Sequence, residues 1–231
     1  MKNKYYYLDS TYLLIVIGMI IAGIASARVN STYNKYSKIR SLSGMTAYDA
    51  ARRILNNANL RDIKIERISG NLTDHYSPKE KILRLSDTTY NSNSIAAIGV
   101  AAHECGHAIQ HATRYAPITI RNAIVPAVNI GTKLAWPLII LGLFFSYFFV
   151  ELGIFLFSFG LIFQLITLPV EFNASSRALR ILSNYGIMNS SELKCAKKVL
   201  SAAAMTYVAA VISSALSLMR LVLLYGGRNR D

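Results

Sequence analysis

Four long runs without charged residues divide the chain. The first comprises the 18 residues after Asp9, and the next two, residues 134–150 and 152–170, are separated by Glu151 alone. The last run, residues 199–219, is rich in Ala, Ser and Thr. About 20 apolar helical residues cross a hydrocarbon core of about 30 Å. The pattern predicts transmembrane helices at residues 11–27, 134–150, 152–170 and 199–224, the middle two forming a tight hairpin that turns at Glu151.

Two of these runs allow another interpretation. The small residues 25–27 resemble a signal-peptide cleavage site, but Asp9 and three tyrosines stand where a signal peptide carries its basic residues, which favours a retained helix. The small residues of the fourth run suit helix packing within a membrane, and they equally fit a buried helix of a soluble domain.

Residues 28–133, between the first and second spans, have the pattern of a folded soluble region. Residues 46–58 place apolar side chains on one side of a helix. Ile63–Ile68 and Lys81–Leu85 alternate apolar and polar residues, which predicts two strands joined as a small β-hairpin. Residues 94–113 form a mostly apolar helix. The sequence therefore predicts a mainly α integral membrane protein with about four transmembrane helices and a small α+β part.

Composition restricts the partners and the compartment. The chain carries a formal net charge of +13, with Lys and Arg spread along it and no nucleic-acid-binding motif. This speaks against a nucleic-acid partner and favours contact with a lipid bilayer. Cys105 and Cys195 could form one disulfide, but free thiols in a reducing compartment are expected, because Cys105 lies inside the motif described below.

The positions of the basic residues predict the topology of the chain. Only Lys2 and Lys4 precede the first span. Basic residues cluster after the first span and after the third: Arg28, Lys35, Lys38, Arg40, Arg177, Arg180, Lys194, Lys197 and Lys198. The positive-inside rule therefore places residues 28–133 and 171–198 in the cytoplasm of a multi-pass cell-membrane protein. Both chain ends then face outward. Three arginines near the C-terminus speak against an outward-facing C-terminus: Arg220, Arg228 and Arg230.

Residues 101–110 contain the motif His103-Glu104-x-x-His107. Residues four apart share one face of a helix, so both imidazoles can reach one ion while Glu104 approaches a water on that ion. Zinc takes neutral imidazole ligands and lowers the pKa of its water to about 7, so that a nearby carboxylate can accept the proton. Burying these groups in an apolar helix is costly unless a metal ion is their partner. We therefore predict one Zn²⁺ per chain, with Glu104 as the general base.

Three other polar residues are candidates for the site: His75, Tyr76 and His111. His111 follows His103 by about 12 Å along a helix, too far to share one tetrahedral ion, so a surface position is expected. His75 and Tyr76 lie at the predicted bend between the two strands, where either could stabilise a transition state by donating a hydrogen bond. Ordinary turn chemistry explains this segment equally well.

The third zinc ligand follows by elimination among the acidic residues after the motif, which are Glu151, Glu171, Glu192 and Asp231. Glu151 is predicted at the far side of the membrane, Asp231 is the chain end, and Glu192 is placed to cap a helix that starts near Asn189. Glu171 follows the returning span, at a depth where a charge requires a partner. Glu171 is therefore the predicted third ligand, with Asp74 or His75 as the alternatives.

These residues resemble the YugP-type neutral zinc metallopeptidases of bacterial membranes. The resemblance runs in order through four segments and covers most of residues 40–200: GlyAsnLeuThrAspHisTyr, LeuArgLeuSer, AlaAlaHisGluCysGlyHisAlaIleGln and LeuProValGluPheAsnAlaSer. It implies a zincin-like metalloendopeptidase whose zinc is bound by two His and a downstream, gluzincin-like Glu. Cys105 and Asn173 depart from the family pattern, in which an aliphatic residue and an Asp are usual. Asn173 could still orient a ligand through its carbonyl oxygen.

Three functions are compatible with these features. A membrane metallopeptidase that hydrolyses a peptide or membrane-protein substrate is favoured, because a zinc site that only stabilises a fold has no need of Glu104 as a base. A metal-handling or transport protein is the first alternative, although the middle spans hold almost no polar residues. A catalytically inactive scaffold stabilised by zinc is the second.

Overall fold

The structure of the protein is a computed structural model, which describes residues 9–226. The helices in this range are α1 (Tyr12–Tyr36), α2 (Ala47–Asn57), α3 (Asp87–Tyr90), α4 (Ile95–Ala112), α5 (Ala116–Phe144), α6 (Tyr147–Asn184) and α7 (Ser190–Tyr225). The strands are β1 (Lys64–Ile68), β2 (His75–Ser77) and β3 (Ile82–Ser86). Some residues used in the predictions above lie outside the described range: Lys2, Lys4, Arg228, Arg230 and Asp231.

Four helices, α1, α5, α6 and α7, are long and apolar enough to cross a membrane. This finding confirms the prediction of a mainly helical protein with about four candidate spans. Each helix is longer than its predicted apolar run; α1, for example, continues to Tyr36 and α6 continues to Asn184. Hydrophobicity marks the length that lipid can cover, whereas a helix ends only where its backbone hydrogen bonds end.

The turn between α5 and α6 differs from the prediction. We expected it at Glu151, but α5 ends at Phe144 and α6 begins at Tyr147, so Glu151 lies in the first turns of α6. Ser146 directly precedes α6, where a serine suits the N-cap position. A carboxylate near a helix N-terminus is compatible with the helix dipole, so a single charge in an apolar run does not have to mark a turn.

The described chain divides into two compact units. One comprises Ala123–Leu165 with the start of α1, up to Ala25, and the end of α7, from Tyr207. Within this unit the Ser213 hydroxyl donates a 2.9 Å hydrogen bond to the Gly18 carbonyl. The other unit comprises Ser26–Asn122 and Ile166–Thr206 and contains the sheet, α2 to α4 and all the candidate site residues.

The sheet corrects the predicted β-hairpin. Its strand order is β1-β3-β2, with β1 parallel to β3 and β2 antiparallel to β3. Ile63–Ile68 and Lys81–Leu85 are therefore not the two arms of a hairpin, and His75 and Tyr76 lie on β2 instead of at a bend. Alternating polarity identifies a strand, but it carries no information on strand direction. The connection between the two predicted strands is long enough to hold β2 itself.

Helices α2 and α4 confirm the predictions for residues 46–58 and 94–113. Thr46 caps α2, accepting a hydrogen bond from the Asp49 backbone while the Asp49 carboxylate accepts one from Thr46. Ser94 caps α4 by accepting from the Ala97 backbone. These caps satisfy backbone groups that a helix start leaves unpaired.

The core of the site-bearing unit surrounds α4. Apolar residues of α2, the sheet, α6 and α7 pack against apolar residues of α4, and the largest fully buried side chains of this core include Ile54, Leu55, Leu83, Leu85, Ile98 and Leu182. The predicted motif therefore lies on a helix whose other faces are fixed by packing. Side chains on such a helix have little freedom to move relative to their neighbours.

Helices α4 and α6 approach almost to backbone contact at Gly106. A Cβ atom added to Gly106 would lie 2.7 Å from the Ala174 carbonyl oxygen of α6. Glycine inside a helix is less favourable than alanine by about 1 kcal/mol. The close approach accounts for glycine at this position, between the two histidines of the motif.

We expect Gly106→Ala to destabilise the protein by about 1–3 kcal/mol, because the added methyl group forces α4 and α6 apart. Gly99→Ala is the matched control on the same helix, since its Cβ would meet the Ala196 Cβ at an ordinary 3.6 Å. The control should be neutral or stabilising. Thermal unfolding in detergent measures both, and equal stability of the two variants would show that the close contact is absent.

Candidate metal centre

The three predicted zinc ligands meet where α4 passes α6. The Nε2 atoms of His103 and His107 are 3.1 Å apart. The Glu171 Oε2 atom lies 3.3 Å from the His103 Nε2 and 3.6 Å from the His107 Nε2. Within residues 9–226, these side chains form the group of His, Cys, Asp and Glu residues whose ligand atoms all lie within 4.8 Å of one another.

The distances between these atoms fit tetrahedral zinc. With bonds of about 2.0–2.1 Å to nitrogen and oxygen and angles of about 109°, two ligand atoms of one zinc ion lie about 3.3 Å apart. The observed separations run from 3.1 to 3.6 Å. The three side chains can therefore bind one ion with little rearrangement.

The hydrogen bonds of His107 orient its ring for metal binding. Its Nδ1 lies 3.0 Å from the Gln110 Oε1, which can only accept, so the Nδ1 carries the hydrogen. A neutral imidazole then presents the lone pair of Nε2 to the other ligands. Gln110 cannot turn over easily, because its amide donates to the Val170 carbonyl and to the Asn173 Oδ1.

His103 and Asn173 have their own supporting contacts. The His103 Nδ1 lies 3.1 Å from the Ser175 hydroxyl, which can accept its hydrogen and leave the Nε2 free. The Asn173 Oδ1 accepts hydrogen bonds from Gln110 and from the Arg177 Nε. The sequence predicts that Asn173 could orient a ligand. In the structure Asn173 does not contact His107 directly but is hydrogen-bonded to Gln110, which contacts His107.

The electrostatics of the site favour a cation. Glu104 and Glu171 are both buried carboxylates, and Glu104 directly follows the predicted ligand His103 in the chain. Burial raises the pKa of Glu104, with His107 and His103 acting in the opposite direction. Burial alone would lower the pKa of His107, but its contact with Glu171 holds the pKa above its ordinary value. Two carboxylates in a desolvated site therefore draw positive charge, which a divalent ion supplies.

The alternative third ligands lie elsewhere. Both carboxylate oxygens of Asp74 accept hydrogen bonds, from the Ser86 backbone and hydroxyl and from the Thr89 hydroxyl. The His75 Nδ1 lies 2.9 Å from the Thr73 carbonyl in the adjoining loop. Neither Asp74 nor His75 is in the group around the two motif histidines.

Tyr76 and His111 face each other at the far end of α4. Their ring centroids are 6.2 Å apart in an edge-on arrangement, and His111 is exposed. The surface position expected for His111 is therefore confirmed. Tyr76 packs against the core formed around α4, a turn beyond His107, and burial raises the pKa of its hydroxyl.

Glu192 has the capping role predicted for it. Its carboxylate accepts a hydrogen bond from the Asn189 backbone, while the Asn189 side chain accepts one from the Glu192 backbone. The second Glu192 oxygen accepts from the Leu42 backbone across the unit. A carboxylate that fixes two chain segments in this way has a structural role independent of the metal centre.

Gln110 and Ser175 were missed by the sequence analysis, although each contacts a predicted ligand. A signal was available for Gln110, because residues three apart share a helix face and Gln110 follows His107 by three. No such local signal existed for Ser175, whose contact with His103 depends on how α4 and α6 pack.

Four helices long and apolar enough to cross a membrane, and two histidines that meet a buried glutamate beside a second glutamate, are the features expected of a membrane zinc peptidase. The family described as "Putative neutral zinc metallopeptidase" matches residues 11–226. The chain is also 47% identical over 210 residues to "Putative membrane protease YugP" of Bacillus subtilis (strain 168), which covers 90% of this chain and 93% of that protein. The chain therefore belongs to this zinc metallopeptidase family, as the motifs predicted. No solved structure matches it.

Glu171→Ala should weaken zinc binding at least about tenfold, because it removes one of three protein ligands. Glu192→Ala is the control, since it also removes a buried glutamate from the same unit but leaves the cluster intact. Zinc affinity is measured by competition with a chelator on the purified protein. Equal zinc retention by the two variants would place the third ligand elsewhere, with His75 the next to test.

Proposed function

We propose that the protein is a zinc metalloendopeptidase embedded in the cell membrane, with one Zn²⁺ held by His103, His107 and Glu171. The observation that carries the proposal is the convergence of these three side chains, with 3.1–3.6 Å between their ligand atoms, on the helix turn that also bears Glu104. Membership of a zinc peptidase family supports the choice of metal and of reaction.

Glu104 is the general base in this proposal. Zinc, when bound, polarises the peptide carbonyl and makes water more acidic. The Glu104 carboxylate accepts the proton of the attacking water and then donates it to the amine that leaves as the peptide bond breaks. Its burial suits this role, because a desolvated carboxylate with a raised pKa holds a proton more strongly than an exposed one.

The substrate is an extended peptide or a segment of a membrane protein. Strand β2 is at one edge of the sheet and contacts α4, so a peptide paired with β2 would run beside the helix that carries the motif. His75 and Tyr76 both lie on β2. Their proposed role is to stabilise the transition state by donating hydrogen bonds once substrate is bound, since catalytic hydrogen bonds often tighten only in the complex.

We place the catalytic unit on the cytoplasmic side. The support is the distribution of Lys and Arg after the first and third spans, which the positive-inside rule assigns to the cytoplasm. Substrates would then be approached from the cytoplasm or from within the inner leaflet.

Glu104→Gln should keep its zinc and lose about 10²-fold or more in turnover, because the amide preserves size but cannot accept the proton. The assay follows hydrolysis of mixed unfolded and membrane-protein substrates, with a chelator-treated sample as the blank. Glu66→Gln, on the exposed strand β1, is the matched control and should keep its activity. Turnover within a few-fold of the native protein would mean that Glu104 is not the base.

Single cysteines introduced at Lys38 and Lys79 should react with an impermeant thiol reagent only after the cell membrane is opened. Both positions are exposed in the site-bearing unit and are assigned to the cytoplasm. The native cysteines are first replaced by serine or alanine. Labelling of either position in intact cells would contradict the proposed orientation.

A further inference from the structure

A groove of about 740 Å³ lies between the end of α1 and the beginning of α7, away from the metal centre. Five basic side chains line it: Arg28, Lys35, Lys194, Lys197 and Lys198. All of them belong to the site-bearing unit. Its volume falls within the range of small-molecule sites, about 300–1,000 Å³.

The cationic charge of the groove is not neutralised by the protein. No Asp or Glu lines it, and none of its five cations forms a salt bridge within residues 9–226. Other basic residues of the same unit are paired: Arg67 with Asp87, and Lys81 with Asp62. Lys194 and Lys198 are four residues apart on α7, and two like charges at this spacing destabilise a helix. Such an arrangement is unfavourable by itself and is relieved by an anionic ligand.

The groove is also amphiphilic along α7. Lys194, Lys197 and Lys198 occupy the first turns of the helix, directly before the predicted fourth span. Ala202 and Met205 follow within that span and line the same groove, and the Met205 side chain is exposed. A free phosphate ion would contact only the basic part. A ligand with a charged end and an apolar end would contact all of it.

The floor of the groove is well formed. Tyr36 lines it, and the buried rings of Tyr33 and Tyr36 pack with Val199 of α7 and Ala96 of α4. Ser201 of α7 also lines the groove, where its hydroxyl can donate a hydrogen bond to a phosphate, whereas the Ser31 hydroxyl donates to the Arg28 carbonyl. The position, at the ends of two predicted spans, is the level at which lipid head groups are expected.

We propose that this groove binds an anionic phospholipid, with the head-group phosphate held by the five cations and the start of an acyl chain against Ala202 and Met205. Basic pockets at the cytoplasmic ends of membrane helices suit such head groups. The site is separate from the peptidase activity and does not depend on it. A bound lipid would join α1 to α7 where the two helices leave the membrane.

The test is native mass spectrometry of the full chain in neutral detergent, titrated with dioleoyl phosphatidylglycerol or dioleoyl phosphatidylcholine. The native protein should bind phosphatidylglycerol about tenfold more tightly than phosphatidylcholine. Simultaneous Lys194→Gln, Lys197→Gln and Lys198→Gln substitutions should weaken this binding at least about tenfold, since each cation near an anionic lipid contributes roughly fivefold. Arginine at the same three positions should retain it.

The control removes the same charge elsewhere, by Arg61→Gln, Lys64→Gln and Lys79→Gln at exposed positions of the same unit. It should bind phosphatidylglycerol as the native protein does, and zinc content and thermal unfolding verify that all variants are folded. If the control lost phosphatidylglycerol binding to the same extent, the binding would depend on the net charge of the protein and not on the groove, and the proposal would be overturned. Equal binding of both lipids, or full displacement of phosphatidylglycerol by inorganic phosphate at equal concentration, would also overturn it.

Discussion

The proposed metal centre depends on how closely α4 and α6 can approach. His103 and His107 lie on one helix and Glu171 on another, and a tetrahedral ion accepts ligand atoms only about 3.3 Å apart. The two helices approach closely enough for this ligand spacing because Gly106, between the two histidines, faces the Ala174 backbone without a side chain. Packing on the remaining faces of α4 then fixes the motif in place.

The hydrogen bonds around the ligands extend this constraint from position to chemistry. Gln110 accepts from His107 and donates to the Val170 carbonyl, so one side chain fixes an imidazole of α4 against the backbone of α6. The same contact selects the tautomer that leaves the Nε2 of His107 free. Contacts of this kind hold α4 and α6 together and at the same time orient the predicted ligands.

Features encoded by local periodicity could be predicted from the sequence. The apolar runs gave the four long helices, and the i, i+4 spacing of His103 and His107 gave the paired imidazoles. The position of Glu171 near the two histidines could be predicted because the third span returns to the side of the membrane from which the second span starts. The direction of β1 relative to β3 could not be predicted, since alternation is the same for parallel and antiparallel strands. The contact of Ser175 with His103 could not be predicted either, because it depends on the packing of two distant helices.

X-ray absorption at the zinc edge of the purified protein tests the central claim most directly, because it reports the atoms bound to the metal without requiring a substrate. The account predicts about one zinc per chain in a four-coordinate site, with two imidazole ligands, oxygen in the other positions and bond lengths of about 2.0–2.1 Å. A sulfur ligand at about 2.3 Å, or a site with a single imidazole, would contradict it.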